Sequence, residues 1–143
     1  MTEPEEARKI LALTAGDGAR AVAIVEGQLN ILYIRAQVLL SLAGVVVTVT
    51  GFSGRQIAAS GACERGLLVG GLAGVLTSAI WVFTRVAGIK WVTGELGDRL
   101  EDSLETMLRR RNAKTRAYQV GGRILIAGLT LYCAAIAGYL VRG

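Results

Sequence analysis

The chain has 143 residues, 52% of them hydrophobic, with 16 basic against 11 acidic side chains and a net charge of +5. A mean hydropathy of +0.49 excludes a polar disordered chain and is high for a water-soluble domain of this size. There is no histidine, which removes the usual neutral-pH acid–base and the commonest metal ligand.

The first residues, Met-Thr-Glu-Pro-Glu-Glu, are acidic where a secretory leader is basic, so no cleaved signal is expected. Thr2-Glu3-Pro4-Glu5 fits a capping box with proline in the first helical turn, where its missing N–H costs little. That helix is expected to stop near Gly16, with Asp17-Gly18 as a turn. From residue 19 the pattern restarts. Val22, Val25, Leu29, Leu32, Ala36 and Leu39 step by three and four, a heptad-like seam without a breaker. The spacing predicts one helix over 19–52, with 1–35 outside the bilayer and Tyr33 and Arg35 at its surface.

Residues 36–54 hold no charge for 19 positions between Arg35 and Arg55. Two further runs match: 66–84, 19 residues between Arg65 and Arg85, and 124–141, 18 residues between Arg123 and Arg142. Each would reach roughly 27–29 Å as a helix, close to the ~30 Å hydrocarbon core of a bilayer. The expected fold is all-α, an integral membrane protein with three transmembrane helices (36–54, 66–85 and, together with a short outer tail, 123–143) and a cytoplasmic helical extension. A soluble bundle is the alternative; five turns without a charged face argue against it.

Within the first span, Gln37, Ser41, Gly44 and Thr48 form a polar or small face on successive turns. It reads either as a pore lining or contact between copies, or as helix packing with the hydroxyls bonded back to their own helix. For Gln37 the two readings stand level, because an amide in hydrocarbon seeks a partner. Residues 55–65 are expected as an outer loop carrying Cys63, which could crosslink two copies but reads first as a free thiol. In the second span, Gly66, Gly70, Gly74 and Ser78 fall at four-residue steps, a repeated small face that admits another backbone. Packing within the chain is the first reading of that face and contact between copies the second.

Residues 86–122 are expected to form the second cytoplasmic part, helical over 95–119. Leu96, Leu100, Leu104 and Leu108 recur every four residues, and the Val22, Val25, Leu29 seam is the simplest partner for them. Acids at its start and Arg109, Arg110, Arg111, Lys114 and Arg116 at its end complement the helix dipole. Gly121-Gly122 reads as a flexible joint before the third span, in which Ala134 and Gly138 repeat the small-residue theme.

Thirteen basic residues lie before the first span or between the second and third; only Arg55, Arg65 and Arg142, three in all, lie on the other side. The positive-inside rule therefore places the N-terminus and the second loop in the cytoplasm and the C-terminus outside. The charge reflects topology and attraction to anionic lipid, and nucleic acid is not an expected partner. Cys63 and Cys133 form no metal spacing. Neither a Walker loop nor a Gly-x-Gly-x-x-Gly turn is present, since the glycine pairs sit at the spans. No enzyme, cofactor or metal site is expected.

The segment 29–42, LNILYIRAQVLLSL, and the basic-aromatic Lys114-Thr-Arg-Ala-Tyr118 resemble the entries to the first and last spans of bacterial Pycsar-effector and SLATT-like transmembrane modules. The family's Asp-x-Lys-Ala signature stands here as Tyr33-Ile34-Arg35-Ala36, which keeps the basic-Ala pair and lacks the acid. The resemblance implies a homo-oligomeric inner-membrane effector that forms a pore or disrupts the membrane in antiphage or nucleotide signalling. A sensor or enzyme in the cytoplasm would trigger it. The alternative is a non-catalytic accessory or scaffold subunit that anchors a cytoplasmic partner.

Overall fold

The computed structural model describes residues 2–86 and 100–142 and contains four helices: α1 Glu3–Leu13, α2 Gly18–Ser60, α3 Ala62–Arg85 and α4 Leu100–Arg142. The Thr2 N–H donates to Glu5 Oε2 at 2.8 Å, and Pro4 lies in the first turn of α1. The helix ends where Ala15 and Gly16 take positive φ of 52° and 79°, and the Gly16 N–H returns to the Leu11 carbonyl at 2.9 Å. Glycine accepts that conformation without penalty. Asp17, expected in a turn, is the N-cap of α2: its carboxylate accepts from the Ala19 and Arg20 N–H groups at 3.0 and 3.2 Å.

α2 and α4 are rods of 43 residues each, about 64 Å long at helical rise. Both contribute to each of two cores, and a third helix completes the bundle differently in each half. In the polar half that helix is α1, and a core of Ala7, Ile10, Val25, Leu29, Leu104, Met107 and Leu108 closes over it. In the apolar half it is α3, around Leu39, Val46, Val75, Val82, Leu125 and Tyr132. Val25, Leu104 and Leu108 have no exposed surface, and Val22 packs at the margin of the same core. Leu96 lies outside the described residues, and Leu100 opens α4.

α2, α3 and α4 are each long and apolar enough to cross a membrane. Their outward faces are apolar in this half: Val38, Val69, Ile80, Phe83 and Ile126 are all more than half exposed. This is compatible with a multi-pass membrane protein.

Two expected breaks are helical. The segment 55–65 is not a loop, because α2 runs on to Ser60 and α3 begins at Ala62, leaving Gly61 alone as an extended corner. Arg55 and Arg65 mark the end of the apolar run but do not end a helix, since arginine is a good helix former. Gly121-Gly122 is likewise no joint: α4 passes through both. Gly121 is a point of close approach, where an added methyl would collide with the Val82 side chain.

Candidate functional site

The face of α2 that packs inward is Leu32, Ala36, Leu39, Ala43 and Val46. Gln37, Ser41, Gly44 and Thr48 lie on another side and are all exposed. The Thr48 hydroxyl donates to the Gly44 carbonyl at 2.9 Å, so it is satisfied within its own helix. The Gln37 amide has no hydrogen-bond partner among the described residues. A polar stripe thus runs down the outside of the bundle, level with the apolar surfaces of Val38, Leu42 and Val45.

The glycine series of α3 does not form one face. Gly74 and Ser78 meet α4, whereas a Cβ at Gly66 would meet nothing and one at Gly70 only the tip of Leu131 at 3.9 Å. The reason is rotation: a four-residue step overshoots a full turn by about 40°, so three steps carry Gly66 roughly 120° away from Ser78. The contact face follows the three-and-four alternation of Gly71, Val75, Ser78 and Val82, all buried. Gly71 is the residue missed. A Cβ there would lie 2.7 Å from the Tyr132 nitrogen, and one at Gly128 would lie 2.8 Å from the Val75 nitrogen. The Ser78 hydroxyl donates to the Gly121 carbonyl at 2.7 Å, and Trp81 Nε1 to the Ala117 carbonyl at 3.2 Å. Close backbone contact with interhelical hydrogen bonds is how helices associate where no water is available to drive them together. On α4, Ala134 is exposed, while Gly138 faces the buried Glu64, whose Cγ would be 3.4 Å from an added Cβ.

Where the two cores meet, Lys114 is 7% exposed. Its ammonium donates to the Tyr33 hydroxyl and to the Val86 carbonyl at 3.0 Å. Val86 is the C-cap of α3, so the lysine satisfies a terminal carbonyl and places positive charge at the negative end of that helix dipole. One turn earlier, Arg111 makes a two-pronged pair with Glu6 at 2.7 and 2.8 Å. It also donates to Gln28 and to Asn112. Asn112 in turn reaches Glu3. The Glu3 carboxyl is held below the usual carboxylate range first by a backbone N–H and then by Asn112; that of Glu5 is lowered by the Thr2 N–H.

The five basic residues expected as one cluster are therefore divided. Arg111 and Lys114 are spent inside the protein, Arg109 and Arg116 are exposed, Arg109 lies 3.9 Å from Glu105, and Arg110 is half-buried. Consecutive helical residues point about 100° apart, so a run of arginines spreads around the axis instead of sharing a face.

Cys63 and Cys133 are both free and exposed. Among the described residues no three acidic or cysteine side chains gather where a metal ion could sit. Comparison with protein-family models, with curated proteins and with solved structures finds no match.

Proposed function

We propose that this chain inserts in a bacterial inner membrane with its polar half in the cytoplasm and assembles with copies of itself into an effector that opens or disrupts the bilayer. One observation carries the reading: the outward stripe of Gln37, Ser41, Gly44 and Thr48 on an otherwise apolar surface. An amide facing acyl chains is costly, and a ring of copies would give it partners or a water-filled lumen. The resemblance of 29–42 and 114–118 to Pycsar-effector and SLATT-like modules supports the same reading, with a cytoplasmic partner as trigger.

The orientation is tested through the thiols. An impermeant maleimide should label Cys63 in intact, reduced cells and leave Cys133 unlabelled within the bilayer. Labelling of Cys63 only after the inner membrane is opened would reverse the topology.

Function is tested by induced expression with a membrane-potential dye, alongside mass photometry of detergent-solubilised protein. Wild type should depolarise cells and run as an oligomer. Gln37→Leu removes an interhelical amide contact of about 0.6–2 kcal/mol per interface. It should shift assembly by roughly one decade and reduce depolarisation. A monomeric wild type that leaves the potential intact would put the scaffold reading ahead. In that reading Leu13, 75% exposed, and Ile24, 40% exposed, are the apolar contacts offered to a cytoplasmic partner by the polar half.

A further inference from the structure

Where the polar half meets the apolar half, α2 and α4 part to leave a groove of about 290 Å³. Gln28, Ile31 and Arg35 stand on its α2 side; Arg111, Tyr118 and Gln119 stand on its α4 side, and among the described residues no carboxylate lines it. The two arginines are in different states. Arg111 is neutralised by Glu6 and its remaining N–H groups go to Gln28 and Asn112. Arg35 is exposed and makes neither an ion pair nor a hydrogen bond among the described residues. Among the described residues the groove thus carries one uncompensated positive charge.

Its other donors are already set. Guanidinium can only donate, so Gln28 must turn its carbonyl oxygen to Arg111, which leaves its amide N–H groups for the groove. The Tyr118 hydroxyl and the Gln119 amide add to them. A guanidinium with neighbouring neutral donors matches a singly charged phosphodiester in both charge and bonding. The volume is at the lower end for small-molecule sites, which suits a headgroup better than a whole ligand.

The surroundings say what is attached to that phosphate. From Ile31, 52% exposed, an apolar surface continues down α2 through Val38 and Leu42, 65% and 43% exposed, and Ile126 on α4 is 66% exposed. A soluble phosphate has no use for these flanks; acyl chains do. We infer that the groove between Arg35 and Arg111 holds the headgroup phosphate of an anionic phospholipid, one per copy, with its chains laid along α2 and α4. Arg35 supplies the charge, and Arg111 fixes the Gln28 donor. A zwitterionic lipid is disfavoured because its cation would meet Arg35. The inference rests on the apolar half lying in a bilayer and is independent of pore formation.

The test uses the full chain in nonionic detergent, titrated with phosphatidylglycerol or phosphatidylcholine, with bound lipid counted by native mass spectrometry. One phosphatidylglycerol per copy should be retained at least about tenfold more tightly than phosphatidylcholine. Arg35→Gln should remove that preference and Arg35→Lys should keep part of it. Arg123→Gln, an exposed cation outside the groove, should leave it unchanged. Because Arg35 is exposed and makes no ion pair or hydrogen bond among the described residues, its variants should keep the wild-type melting temperature. Equal retention of the two lipids, or equal loss in Arg123→Gln, would overturn the site. Displacement of the lipid by millimolar inorganic phosphate or adenosine monophosphate would make the ligand a soluble phosphate and overturn the lipid assignment. A chain that remains dispersed after detergent removal would overturn the bilayer premise itself, whatever the assembly and depolarisation measurements show.

Discussion

Gly128→Leu is expected to pull α3 and α4 apart. A single added carbon at Gly128 would lie 2.8 Å from the Val75 nitrogen and 2.9 Å from the Gly71 oxygen. These are backbone atoms, which cannot swing aside as a side-chain tip can. The helices must separate, and with them go the Ser78–Gly121 and Trp81–Ala117 hydrogen bonds of 2.7 and 3.2 Å. Overpacking costs about 1–3 kcal/mol, and each interhelical bond adds about 0.6 kcal/mol. The melting temperature in detergent should fall by many degrees, and Trp81 fluorescence should shift to longer wavelength. Gly66→Leu makes the same chemical change where nothing lies within 4 Å and should melt as the wild type does. Should Gly128→Leu also melt like wild type, the α3–α4 contact described above is wrong.

Leu104→Asp should have an effect of similar size in the other half. Leu104 has no exposed surface and lies among Val25, Leu29, Met107 and Leu108. A carboxylate there would be buried without a counter-charge; the cavity and desolvation together cost roughly 3 kcal/mol or more. Cleavage that proceeds through local opening follows the population of the open state, so limited proteolysis of the polar half should accelerate about a hundredfold. The apolar half, with its separate core, should keep its melting behaviour. Unchanged proteolysis would mean that the leucines of α4 face lipid and not α1 and α2.

The large pattern was legible because it rests on strong local signals. Charge-free runs of 18 and 19 residues mark α2, α3 and α4, and the three-and-four spacing of Val22, Val25 and Leu29 marks the polar core. The capping box at Thr2 marks the start of α1. Two of the misreadings share a cause. Gly121-Gly122 and the segment bounded by Arg55 and Arg65 carry the meanings they hold in water-exposed chains, as joint and loop. At Gly121 the missing side chain serves contact, and at Arg55 the charge simply ends the apolar stretch. The Gly66-to-Ser78 series failed differently: a repeat of four catches the eye, but the helix turns in 3.6. Lys114 and Arg111 could not be told from their basic neighbours by sequence alone. Their roles come from Tyr33, Val86, Gln28 and Glu6, distant in the chain and close only once folded. The stripe at Gln37 was visible from spacing, but that it faces outward was not.

The exchange of α1 for α3 against two unbroken helices builds two separate cores on one pair of helices. Both α2 and α4 stay helical without a break between the Leu104 core and the Tyr132 core, about 42 Å apart along α4 at helical rise. One helix, α4, thus carries both the Arg111–Glu6 pair that holds α1 and the close backbone contact with α3 at Gly128. Lys114, bonded to Tyr33 on α2 and to the end of α3, ties the three helices together between the two cores. Loss of α1 would uncover the Leu104 core and leave the close contact of α3 with α4 at Gly128 in place.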